Sequence, residues 1–199
     1  MTKLEYILLG YPLHVVYRIL NLFPQPLLMP NQKLKDAHKG GICFILGSGP
    51  SIHTQDLTKL SGQIVITQNH FHAHKDIAVI SPKYHVMVPK YQLKEYDNDW
   101  RDWLKSMIDR LPADCRLFAD GNTKYLIDEF NELKGRISYI QTGLNAIYMR
   151  KAYVDITRNI MKVPTALTEC LTIALFMGFE KIYLLGCDLN QPVMLQENG

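Results

Sequence analysis

The apolar run Ile42–Leu46 breaks directly onto Gly47-Ser48-Gly49-Pro50-Ser51. A buried strand ending on two closely spaced glycines constrains the fold strongly, because Gly47 and Gly49 carry no Cβ to hold off whatever comes near. Backbone N–H groups after such a turn, with serine hydroxyls beside them, can point at an anion, and nucleotide phosphates are the usual one. The spacing lacks the third glycine of G-x-G-x-x-G and the Gly-Lys-Ser/Thr of a P-loop, so neither a standard dinucleotide fingerprint nor a P-loop NTPase is indicated. The competing reading is a plain strand-ending turn.

From Lys39 onward short apolar runs alternate with helical stretches, the pattern of an α/β sheet. Strands are expected at Ile42–Leu46, Gln63–Gln68, Tyr84–Val88, Arg116–Ala119, Ile137–Ile140 and Lys181–Leu185. Helices are expected at Asp99–Arg110, Thr123–Leu133 and Pro164–Phe176, the last with proline in its first turn and Gly178 past its end. The predicted class is a Rossmann-like, three-layer αβα fold with a mostly parallel sheet and an N-terminal helical extension. Ligands of such sheets bind at the carboxyl ends of strands. That selects Ser48–Ser51, Asn69–His74, Val88–Tyr91, Gln141–Gly143 and Cys187–Asn190 as a candidate rim.

A length of 199 residues with 47% apolar side chains suits one medium core. Residues 1–38 read as an amphipathic helix around Tyr11 to Leu22 followed by a Pro-rich link, and residues 39–199 as the nucleotide-binding domain. Pro12 and Arg18 spoil a transmembrane span, and a cleavable leader would want a basic start and a small-residue cleavage site. The helix has three possible partners: its own domain, a twin subunit in a homo-oligomer, or a membrane surface. The net charge of +3, without a Lys/Arg run or a basic stripe interleaved with aromatics, argues against nucleic acid as a partner. Cys43, Cys115, Cys170 and Cys187 are scattered and read as reduced thiols of a cytoplasmic protein.

Several polar residues fall on the expected rim. Asn69 offers a carboxamide that can donate and accept at once, as reading a base or ribose requires, though Asn also favours strand ends for backbone reasons. His70, His72 and His74 would line one face of an extended segment near Asp76, yet metal sites usually add a distant ligand, so no metal site is assigned. His70 and His72 remain candidates for proton transfer. Thr165, before the last helix, places a hydroxyl at a helix start, either as a second anion contact or as a simple cap. Asp188 can accept from a sugar hydroxyl or hold a magnesium ion. Trp100 and Trp103 read as packing residues.

Taken in order, Phe44–Ile52, then Asn69 with Phe71, then Val163–Asn190 with its strand Gly178-Phe179-Glu180-Lys181-Ile182-Tyr183-Leu184-Leu185-Gly186-Cys187-Asp188, resemble the bacterial lipooligosaccharide sialyltransferases. They also resemble the related family named for 6-hydroxymethylpterin diphosphokinase. The resemblance spans roughly residues 40 to 190. It implies a domain that binds a nucleotide-activated sugar, with Gly47, Ser48, Gly49 and Ser51 near the phosphates, Asn69 near the nucleoside and Thr165 near the leaving phosphate. Ser48 and Ala166 depart from the family's Asn and Ser. The family's lid, phosphate-contacting tyrosines and general-base His all lie beyond the Gly-x-Asp strand, so the chain is expected to be part of a longer protein, or to draw its base from elsewhere.

The implied activity is glycosyl transfer to a glycan or lipid-linked acceptor in surface glycan or lipopolysaccharide synthesis, at the inner membrane face if the N-terminal helix docks there. No resident cofactor is required. The alternatives are a Mg²⁺-dependent pyrophosphokinase acting on a pterin-like alcohol with Asp188 as ligand, and a non-catalytic nucleotide-binding protein.

Overall fold

The computed structural model describes residues 12, 15, 16, 19, 21–23, 25–87, 94–145, 154–162 and 165–188. Eight strands are found among them: β1 (Ile42–Leu46), β2 (Val65–Gln68), β3 (Tyr84–Val86), β4 (Arg116–Asp120), β5 (Ile137–Ile140), β6 (Thr142–Asn145), β7 (Ile160–Lys162) and β8 (Lys181–Leu185). The α-helices are α1 (Ile77–Ile80), α2 (Asp97–Arg110), α3 (Lys124–Ile127) and α4 (Ala166–Phe176), with 3₁₀ turns between. Six strands form one sheet in the order β5-β4-β3-β2-β1-β8, and every pairing in it is parallel. The chain therefore has a Rossmann-like α/β fold.

Side-chain alternation explains why these runs are apolar without a break. In β1, Cys43 and Ile45 enter one buried cluster and Leu46 the other, while in β4 Leu117 and Ala119 face away from Phe118. A sheet covered on both faces needs apolar residues at successive positions. One face is covered by α1, α2 and the 3₁₀ turns, through Ile77, Ile80, Trp100, Leu104 and Met107. The other is covered by α4, whose Ala166, Cys170, Ile173 and Ala174 recur at helical spacing.

The N-terminal link belongs to this second layer. Leu28 is fully buried, and the buried Asn31 amide donates to the Tyr139 carbonyl at 2.7 Å and to the Ile156 carbonyl at 2.9 Å.

Three expectations need correction. The helix expected at Thr123–Leu133 is broken into a 3₁₀ turn at Gly121–Thr123, α3, and a second turn at Asn131–Leu133, because Phe130 is extended (φ −107°, ψ 109°). The helix starting at Asp99 begins at Asp97, putting two carboxylates at the positive end of its dipole. The small parallel ladder of β6 and β7 was not expected, since Gly143 and Asn145 are poor strand formers. The amphipathic helix lies mostly outside the described residues, as do Val88–Tyr91 and Pro164.

Candidate functional site

Starting at β1, strands β2 to β5 add in succession on one side, whereas β8 joins β1 on the other. The direction of winding reverses between β1 and β8, and in open parallel sheets a ligand crevice forms outside the carboxyl ends at such a point. The two loops leaving those ends are Gly47–Ser51 and Gly186–Asp188, which are two segments of the rim chosen from sequence.

These loops are tied to each other. The Gly47 amide donates to the Leu185 carbonyl and the Gly49 amide to the Gly186 carbonyl, both at 2.8 Å, extending the β1/β8 ladder past the strand ends. The Ser51 amide donates to the Asp188 carboxylate at 2.8 Å, and the Ser51 hydroxyl donates to its other oxygen. The glycines are required by this approach. A Cβ on Gly47 would lie 2.4 Å from the Gly186 carbonyl oxygen, and one on Gly49 would lie 2.6 Å from Asp188 Oδ2. Gly186 itself is left-handed (φ +64°), a conformation that glycine adopts without strain. Three amides of the turn thus already have partners within the chain, and a carboxylate stands beside them. The Ser51 hydroxyl, followed by its amide, holds the Asp188 carboxyl below the usual carboxylate range. Ser48 is exposed at the apex.

Neighbouring elements supply the rest of the rim. At the end of β2, the Gln68 amide reaches the Leu46 carbonyl at 3.4 Å, and its oxygen lies 4.0 Å from Cys170 Sγ on α4, so Gln68 bridges the β1 exit and the start of that helix. Asn69 follows in the left-handed region (φ +51°), where Asn is tolerated better than most residues. Thr165 occupies the N-cap position of α4, but its hydroxyl pairs with the Thr168 hydroxyl at 3.0 Å and caps no backbone amide. The first turn of an 11-residue helix therefore presents its amides without a side-chain cap.

Two buried carboxyl groups escaped the sequence reading. Asp120, at the end of β4, accepts from the Thr142 amide at 3.2 Å and its hydroxyl at 3.1 Å, and from the Asn122 amide at 3.0 Å. Glu169, in the first turn of α4, is 2% exposed, and its Oε2 has no hydrogen-bond partner among the described residues. Burial, with Asp120 adding like charge, pushes its carboxyl up to about 8. A buried acid inside an apolar helix face was the signal in Glu169-Cys170, although its consequence needed the fold.

The histidines diverge. Asn69–Ala73 is a 3₁₀ turn rather than an extended segment, so the three rings do not share a face. His72 is 2% exposed; its Nδ1–H donates to the Asn69 carbonyl at 3.0 Å, which leaves Nε2 to accept from the Ser106 hydroxyl at 3.2 Å. That ring is closed to a substrate. His70 is exposed beside Trp103, and His74 stacks on Phe71. Among the described residues no three His, Cys, Asp or Glu side chains gather as a metal site. The cysteines are held as thiols by burial, Cys43 and Cys115 being raised to about 12. A cleft of about 230 Å³ lined by Ile127, Phe130, Leu133, Ile137 and Tyr139 lies along β5, at the opposite sheet edge from β8.

No protein-family model and no curated protein matches the chain. Among solved structures it is similar to a diketoreductase that acts on dicarbonyl compounds, at 12% identity and TM-score 0.34 over 79% of this chain and 70% of that one. It is also similar to an (S)-3-hydroxybutyryl-CoA dehydrogenase of Ralstonia eutropha, at 9% identity and TM-score 0.30 over 78% and 69%.

Proposed function

We propose that the chain binds a nucleotide-activated sugar in the crevice between β1 and β8 and serves as the donor-binding domain of a sialyltransferase-like glycosyltransferase. One observation carries the reading: both loops at the reversal of strand order bring polar groups to the carboxyl edge of the sheet. The Asp188 carboxylate is suited to accept from donor hydroxyls, and a phosphate would be repelled by it. The phosphate is better received at the start of α4, where Thr165 and uncapped amides face an anion favourably. Asn69 and Gln68 stand where a nucleoside would be read. Donor binding and departure of the phosphate are the steps these residues serve. The acceptor's proton would go to His70, the exposed ring of the His-rich turn, or to a base outside this chain.

Calorimetric titration with nucleotides and nucleotide sugars, with and without Mg²⁺, tests the proposal. A nucleotide sugar should bind without Mg²⁺, and Thr165→Val and Asp188→Asn should each weaken it roughly tenfold, the cost of a hydrogen bond to a charged group. Binding of ATP alone, dependent on Mg²⁺ and on Asp188, would replace the transferase by a pyrophosphokinase. No binding of any nucleotide would end both readings.

A further inference from the structure

The helix expected over Thr123–Leu133 is broken at the extended Phe130, and the cleft of about 230 Å³ lies where its pieces meet β5. Its apolar lining is Ile127 from α3, Phe130 and Leu133 from the break and the turn after it, and Ile137 and Tyr139 from β5. Ile127 and Leu133 are 3% and 2% exposed and belong to the core, so the floor of the cleft is fixed by the packing of the domain. An apolar cavity of roughly 150 Å³ is enough to bind benzene. This cleft has room for a ring or a short alkyl chain.

Charge selects the ligand. Asp128 and Lys134 complete the lining, and Asp128 is already paired, its Oδ2 lying 2.5 Å from the Lys124 Nζ, which in turn sits 5.9 Å from the centre of the Tyr139 ring. That pair is neutral as a unit. Lys134 is exposed and enters no ion pair among the described residues, so it leaves one uncompensated positive charge beside an apolar floor. Such a site suits a ligand with an apolar body and one anionic end, and it disfavours the matching amine. We infer that this cleft binds a small monocarboxylate, its apolar body against Phe130, Ile137 and Tyr139 and its carboxylate at Lys134. The site lies at the opposite sheet edge from the β1/β8 crevice, and the inference does not depend on the donor-site reading.

The test is an NMR titration of the isotopically labelled full chain with butanoate, hexanoate, octanoate and octylammonium. Octanoate should shift the backbone amides of Lys134, Gly135 and Tyr139, and affinity should rise roughly fourfold for each methylene added from butanoate, as burial of that group predicts. Octylammonium, with the same body and the opposite charge, should bind roughly tenfold more weakly. Lys134→Gln should remove that preference. Because Lys134 is exposed, matching urea midpoints will confirm that the variant folds. Equal affinities for octanoate and octylammonium, or for butanoate and octanoate, would overturn the inference. So would shifts confined to residues outside the cleft, or no saturable binding of octanoate.

Discussion

The contact between the two crevice loops makes Gly49 the sharpest test of this architecture. A methyl group at Gly49 would sit 2.6 Å from Asp188 Oδ2, 2.8 Å from its Cγ and 2.8 Å from the Gly186 carbonyl oxygen, all closer than real Cβ contacts allow. Gly49→Ala should therefore cost about 1–3 kcal/mol, as overpacking of a tight site does. Two of those three contacts belong to one side chain. In an Asp188→Ala background much of the cost should disappear, leaving the backbone clash with Gly186. At Gly47 the new methyl would meet the Gly186 carbonyl oxygen at 2.4 Å and Cys187 Sγ at 3.0 Å, neither part of Asp188. Gly47→Ala should thus destabilise equally in both backgrounds. Urea denaturation of the single and double variants gives the coupling energies directly. If Gly49→Ala costs the same with and without the Asp188 side chain, the clash is not the cause and the loop contact argued here is wrong.

Two further predictions concern buried titratable groups. Glu169 keeps its proton in the folded chain until about pH 8, whereas its ordinary value is 4.5, so the folded state binds more protons between these limits and stability should fall as pH rises through them, by at most roughly 1.4 kcal/mol per unit. Glu169→Gln should flatten that slope and gain stability at pH 8; an unchanged urea midpoint profile would show that the group ionises freely. His85 is fully buried and lowered to about 3 from 6.5, mainly by desolvation with His72 adding like charge, so the unfolded chain takes up the proton first and stability should fall as pH drops below 6.5. An NMR titration of the ring should find it neutral at pH 5, and a protonated ring there would refute its burial.

The layout of the sheet was legible because its strands obey a local rule. Ile42–Leu46, Ile137–Ile140 and Lys181–Leu185 are apolar runs with clear ends, and the structure has strands over those same residues. The helix expected at Thr123–Leu133 was not, because Phe130 and Leu133 turn inward to cover β4 and β5, and that packing overrides helical propensity. At the crevice, the demand for glycine at positions 47 and 49 was visible. The reason lies far along the chain, in the Gly186–Asp188 loop that follows β8. Glu169 and Asp120 were missed for the same cause, since each acquires its environment from partners distant in sequence. Asn69 was noticed for its carboxamide, and its positive φ adds a backbone reason for the same residue.

In the proposed donor site, groups that would bind the ligand are also groups that hold the loops together. Ser51 uses its amide and hydroxyl to hold Asp188, which in the proposed function is also the carboxylate that would meet donor hydroxyls. A sugar hydroxyl that donates to Asp188 need not break this contact, because a carboxylate has about four lone-pair positions and Ser51 occupies two. A phosphate would have to displace the carboxylate from Ser51, exchanging one anion for another at the same donors. The start of α4 needs no such exchange, since Thr165 already leaves its first-turn amides without a side-chain cap. Under the proposed function, hydroxyls at Asp188 and phosphate at Thr165 is therefore the arrangement that would cost the fold least, and it would set the direction in which a nucleotide sugar lies.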